Sequence, residues 1–192
     1  MSNPRLDVKV HQRLPLKLVL QALETASFAV LHAAIYSNFA DNAVGKMLQE
    51  QLRIGQLKQL YILQLQPHAH WQDEFAAILR PKPIEKPAIP SLYQQSHAWC
   101  QQLQEQFPHQ LHFHLIKSLP LQPILLIGNR IFAGQYAHSQ TTSADGLWLE
   151  IAVAEQQQIA TRFLTPKLTT TLDNITLRYI DECRFAYQQC LS

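Results

Sequence analysis

The sequence predicts an α/β domain with a mixed, largely parallel sheet sandwiched between helices. Residues 27–37, SFAVLHAAIYS, are dense in β-branched, aromatic and small apolar residues with little polarity on either face, as in a strand covered on both sides. An amphipathic helix and a second apolar strand follow within residues 38–65, which makes a βαβ unit with a right-handed crossover and parallel strands. Later, PILLI at 123–127 and RIFAGQY at 130–136 flank Gly128-Asn129, residue types suited to a tight hairpin turn.

Along the chain, LPLKLVLQALETA at 14–26 carries apolar residues at helical spacing and leads into the first buried strand. Asn38 to Asp41 form a polar turn, and Asp41 or Asn42 can cap a helix over 42–54. That helix places Val44, Met47, Leu48, Gln51 and Leu52 on one side and is closed by Gly55. LKQLYILQL at 57–65 is the second strand, and HWQDEFAAILR at 70–80 a short helix. PKPIEKPAIP at 81–90 holds four prolines and cannot continue a helix, so it reads as a surface connection within one domain spanning 1–192. Ser91 opens a helix to about residue 106, with Leu92, Ser96, Trp99, Cys100 and Leu103 sharing a face. After Pro108, Leu111, Phe113 and Leu115 alternate with His112, His114 and Ile116, giving a strand with an apolar face and an imidazole-bearing one. GLWLEIAV at 146–153 is a further strand, and residues 154–192 supply C-terminal helices, with Asp173 as N-cap of the last.

Composition excludes several classes. With 47% apolar residues the chain can bury a full core. Its net charge of +2 is carried by scattered Lys and Arg, which argues against a nucleic-acid stripe. Only 16% of residues are charged, so the surface tolerates another subunit. Cys100, Cys183 and Cys190 have no metal-ligand spacing and read as buried reduced thiols. No apolar run approaches the ~18 residues of a membrane span. The opening MSNPRLDVKVHQR has no apolar stretch, so a cytoplasmic location is expected.

The candidate chemistry lies in residues 109–151. His112, His114 and Lys117 close one strand; imidazole suits attack or proton transfer near neutral pH, and a lysine can hold an anionic oxygen. The alternative is that these strand histidines face solvent or hydrogen-bonded neighbours. No carboxylate or cysteine lies near them, so no metal and no cofactor are expected. Tyr136 and His138 follow the next strand. Ser139 lacks a G-x-S-x-G elbow, and Asp145 before Gly146 reads as a turn residue. Gly128 and Gly134 lack the spacing and the following helix of a phosphate loop. Ser37 and Asn38 stand where the first buried strand ends, and α/β sheets place sites at the carboxyl ends of strands. Ser37, Asn38 and the His114/Lys117 group therefore share a rim if their strands are parallel neighbours.

FAVLHAAIYSNFADNAVGKMLQEQLRIGQLKQLYILQL resembles the first strand, helix and second strand of the phospholipase D-like fold, and HFHLIKSLPLQPILLIGNRIFAGQYAHS resembles its later hairpin. The likeness spans most of residues 14–139. In active members that hairpin holds His-x-Lys, an aspartate four residues on, and Gly-Ser-x-Asn. The resemblance carries over only His114 as nucleophile, Lys117 as phosphate ligand with a shift of one residue, and Gly134. Gly128-Asn129 fills the aspartate's place, and Gly134-Gln135 that of Gly-Ser. The family builds its site from two halves, so one degenerate half implies a homodimer.

The favoured function is a non-catalytic ligand-sensing or protein-interaction domain. Its cleft would be lined by Ser37, Asn38, His112, His114, Lys117, Tyr136 and His138 and would take a small anionic or phosphate-containing ligand. The alternative is a phosphodiesterase or nuclease using His114 as nucleophile in a homodimer.

Overall fold

The structure, a computed structural model, describes residues 7–66, 78, 89–138, 141–154, 156–165 and 172–191. In chain order these form β1 (Asp7–His11), α1 (Leu16–Thr25), β2 (Phe28–Ala33), α2 (Ser37–Ala40), α3 (Ala43–Arg53), β3 (Gln59–Leu65), α4 (Ile89–Gln106) and β4 (Leu111–Ile116). There follow β5 (Ile124–Ile127), β6 (Arg130–Ala133), β7 (Trp148–Ala152), α5 (Gln156–Leu164) and α6 (Asn174–Gln188). The helix expected at 70–80 and the proline-rich connection at 81–90 lie, apart from Ile78 and the first two residues of α4, outside the described residues.

Seven strands make one sheet in the order β1-β7-β6-β5-β2-β3-β4. It is mixed, but the expectation of a largely parallel sheet needs correcting. Only β2–β3 and β3–β4 are parallel, while the other four pairs are antiparallel. The βαβ unit gives the parallel part. The antiparallel part arises because the β5–β6 hairpin docks on β2 and β7 then returns beside β6.

β2 sits near the middle, and all six of its residues are buried. Its alternate side chains enter two cores. Ala29 and Leu31 join Leu60, Ile62, Leu125 and Phe132 beneath α1, α3 and the Trp99–Leu103 part of α4. Phe28 and Val30 join Leu63, Leu126 and Ile151 beneath α5 and α6. Burial on both faces explains why this strand reads as a continuous apolar run.

Local signals work as the residues suggest. Asn42 caps α3 by accepting from the Val44 and Gly45 N–H groups, and Asp173 caps α6 by accepting from Ile175 and Thr176. Gly128 takes a φ of +58° in the two-residue turn between Ile127 and Arg130, a conformation other L-residues rarely adopt. Two elements depart from expectation: β1 lies in a segment given no strand, and the turn after β2 contains the short helix α2. Among the described residues no helix is long and apolar enough to cross a membrane.

Candidate functional site

Where β2 ends, the chain passes through Ala34, Ile35 and Tyr36 into α2. Hydrogen bonds fix this exit from several directions. The Ala34 N–H donates to the Tyr136 hydroxyl at 3.0 Å, and the Tyr36 N–H to Ser96 Oγ at 2.7 Å. The Ser96 hydroxyl in turn donates to Gln64 Oε1 at 2.8 Å, and the Tyr36 hydroxyl donates to the Leu63 carbonyl at 2.9 Å. The end of β2 is thus tied to α4, to β3 and to the segment after β6. Burial pushes the Tyr36 and Tyr136 phenols well above their ordinary pKa, so both stay protonated.

These ties leave a cleft of about 360 Å³ at the carboxyl end of β2. Tyr36, Leu125, Tyr136 and Trp148 contribute to its walls, with Ser37, Asn38, Arg13 and Asp145 also in its lining. Trp148 is anchored through Nε1 to the Ser143 carbonyl at 2.7 Å. Its ring lies so close to Gly134 that a Cβ there would stand 2.7 Å from Cε2, so glycine is needed for close approach. The buried Ser37 hydroxyl has no hydrogen-bond partner.

His114 and Lys117 lie elsewhere. They line a second cavity, about 740 Å³, along β4 with His97, Gln104, Phe113 and Cys190. His112 stacks on Tyr61, ring centroids 4.7 Å apart, and His114 meets Tyr187 edge-on at 5.1 Å. Partial burial lowers both imidazole pKa values, and the neighbouring His112 lowers that of His114 further. Both shifts favour the neutral ring.

The expectation of one shared cleft is corrected by this geometry. Ser37, Asn38 and Tyr136 line the β2 cleft, while His114 and Lys117 line the β4 cavity, because β3 lies between the two strands. His112 packs against Tyr61, and His138 is exposed and lines neither cavity. The carry-over of His114 and Lys117 to the hairpin is also corrected, since β2 and β3 separate β4 from β5. The hairpin itself, PILLIGNRIFAG at 123–134, contains no histidine, lysine or aspartate.

Three features escaped the sequence. Arg13, Leu125 and Trp148 enter the cleft from distant segments. Glu150, 2% exposed, accepts from His11 Nε2 at 3.0 Å and from Arg130, linking β1, β7 and β6. His32, on β2, is wholly buried with no hydrogen-bond partner for either ring nitrogen. The alternation in WLEIA could have singled out Glu150 as inward-facing; nothing local marks the rest. Among the described residues no group of three or more His, Cys, Asp or Glu gathers as a metal site.

The sheet and its flanking helices make a phospholipase D-like fold. The chain is similar to NucT from Helicobacter pylori, with a TM-score of 0.53 and 10% identity over 97% of this chain and 98% of that one. It is similar also to a phospholipase D family member, Nuc from Salmonella typhimurium, with a TM-score of 0.53 and 11% identity over 96% of each chain. No protein-family model matches the sequence, and no curated protein matches it.

Proposed function

We propose that this domain binds a small ligand in the β2 cleft and does not catalyse phosphodiester cleavage there. One observation carries the reading: the cleft between β2 and the hairpin has aromatic and aliphatic walls and no imidazole, amine or thiol among its described residues. The histidine and lysine of the resembled family are thus absent from this cleft, whose polar lining includes Ser37, Asn38, Thr142, Ser143, Arg13 and Asp145 instead. A volume of about 360 Å³ suits a compact organic molecule. Tyr36, Leu125, Tyr136 and Trp148 in the lining favour an apolar body, and Ser37, Asn38, Arg13 and Asp145 in the same lining favour a polar substituent on it. The test uses 8-anilinonaphthalene-1-sulfonate, followed by fluorescence. Saturable one-site binding is expected, weakened roughly tenfold by Ser37→Phe at unchanged melting temperature. Equal binding by the variant sinks the cleft as the site.

The phosphodiesterase reading retains one supporting observation, that His114 and Lys117 line a common cavity. It requires turnover of bis-p-nitrophenyl phosphate that His114→Ala abolishes. An inert protein from pH 5 to pH 8 removes it. In that cavity an anionic ligand would be held by Lys117, and inorganic phosphate should then raise the melting temperature in a Lys117-dependent way.

A further inference from the structure

β4 ends the sheet, and pairing with β3 uses only one side of its backbone. The Leu60 N–H donates to the Gln110 carbonyl and the Gln66 N–H to the Ile116 carbonyl, both at 2.8 Å. Even-numbered residues of this stretch therefore bond β3, and the N–H and C=O groups of Leu111, Phe113 and Leu115 point away from the sheet. Part of that outward row is satisfied within the chain. The Leu111 N–H donates to the Phe107 carbonyl at 2.9 Å, the Phe113 N–H to Gln104 Oε1 at 2.9 Å, and the Cys190 thiol to the Leu115 carbonyl at 3.5 Å. Between the caps of Gln104 and Cys190, the Phe113 carbonyl and the Leu115 N–H have no partner within the described chain. The cavity of about 740 Å³ lies here, with Gln104, Phe113, Leu115, Lys117 and Cys190 in its lining.

A carbonyl and an N–H two residues apart on one strand together grip a single residue of a parallel neighbour. The other side of β4 works in this way: Leu60 stands opposite Leu111 and donates to the Gln110 carbonyl one residue before it. An antiparallel residue would instead need the N–H and C=O of one β4 residue together. At Phe113 the N–H is taken, and at Leu115 the carbonyl is taken. The caps also limit length. A parallel chain continued backwards would call on the Phe113 N–H that Gln104 holds, and one continued forwards on the Leu115 carbonyl that Cys190 holds. The gap admits one residue. Its carbonyl end is directed along β4 toward Lys117, which has no ion-pair partner among the described residues.

We propose that this gap binds the C-terminal residue of a peptide. The N–H of that residue donates to the Phe113 carbonyl, and its carboxylate accepts from the Leu115 N–H and lies toward the Lys117 ammonium. A carboxylate suits the forward end because it asks for no further strand pairing, and its charge strengthens the bond from Leu115. The mode is strand addition cut down to one residue, whose side chain falls on the His114 side of the sheet. This site is separate from the β2 cleft and does not depend on ligand binding there.

NMR of the nitrogen-15-labelled full chain, titrated with N-acetyl-alanyl-alanine, tests this. The Leu115 amide resonance should move along a saturable curve, with a Kd on the order of 1 mM for so small a probe. The same peptide amidated at its C-terminus, or N-methylated at its last residue, should bind roughly tenfold more weakly. Lys117→Gln should weaken the free carboxylate to a similar degree yet leave the amidated peptide unchanged, a distinction that a merely structural lysine would not make. A Leu115 amide that stays still overturns the proposal. So does affinity that N-methylation leaves untouched, or inorganic phosphate binding as tightly as the peptide, since either result shows a site for charge alone.

Discussion

His32 shows how much one buried side chain can weigh. It occupies β2 opposite Leu63 and Ile124, and desolvation lowers its pKa from 6.5 to about 4. The folded chain holds the neutral ring and the unfolded chain binds the proton more readily. The stabilisation is therefore complete above about pH 6.5 and is lost as pH falls toward 4. The shift corresponds to roughly 3 kcal/mol at most. His112 and His114, also lowered, act in the same direction. Urea unfolding at pH 7 and pH 4.5 should show this loss, and His32→Leu should remove the larger part of the difference. An unchanged pH dependence in His32→Leu would show that the buried imidazole is not its source. The residue was legible as part of an apolar run; its missing partners were not, because they depend on what packs over β2.

At the scale of elements, β4 was readable and its neighbours were not. Alternation within 111–116 identified the strand, and its imidazole face was visible. That β4 would be an edge strand follows from pairing with β3 alone, a long-range choice. α4 guards the edge through Gln104, which accepts the Phe113 N–H. Replacing Gln104 by alanine should leave the global melting temperature within about 2 °C, given that such surface changes fall within about 0.5 kcal/mol. Amide exchange at Phe113 should nevertheless accelerate markedly, as read by NMR. Unaltered exchange there would mean that another group protects the edge. Helix caps were more transparent: Asn42 and Asp173 act on N–H groups two and three residues away, a range sequence inspection covers.

For the whole molecule, the fold is closed on one side by a contact across the chain's length. His11 and Glu150 are 139 residues apart, yet Glu150 joins β1 to Arg130 on β6. Removing that carboxylate strips both cationic or donor groups of their buried acceptor. Glu150→Ala should lower stability by roughly 1–3 kcal/mol in urea unfolding. A loss below ~0.5 kcal/mol would show that the network adds little to the fold.

The sequence by itself determined the secondary-structure periods, the βαβ unit, the Gly128 turn, the caps and the likeness to a phospholipase D-like fold. All of these are written in residues close together along the chain. Only the tertiary structure decided that two strands separate β4 from the hairpin, that Ser37 and Trp148 line one cleft, and that β1 is an edge strand. Sheet order assigns those neighbours, and it is fixed by backbone pairing between distant segments and by burial on both faces. A local pattern specifies which way a side chain points along a strand; it does not specify what lies opposite.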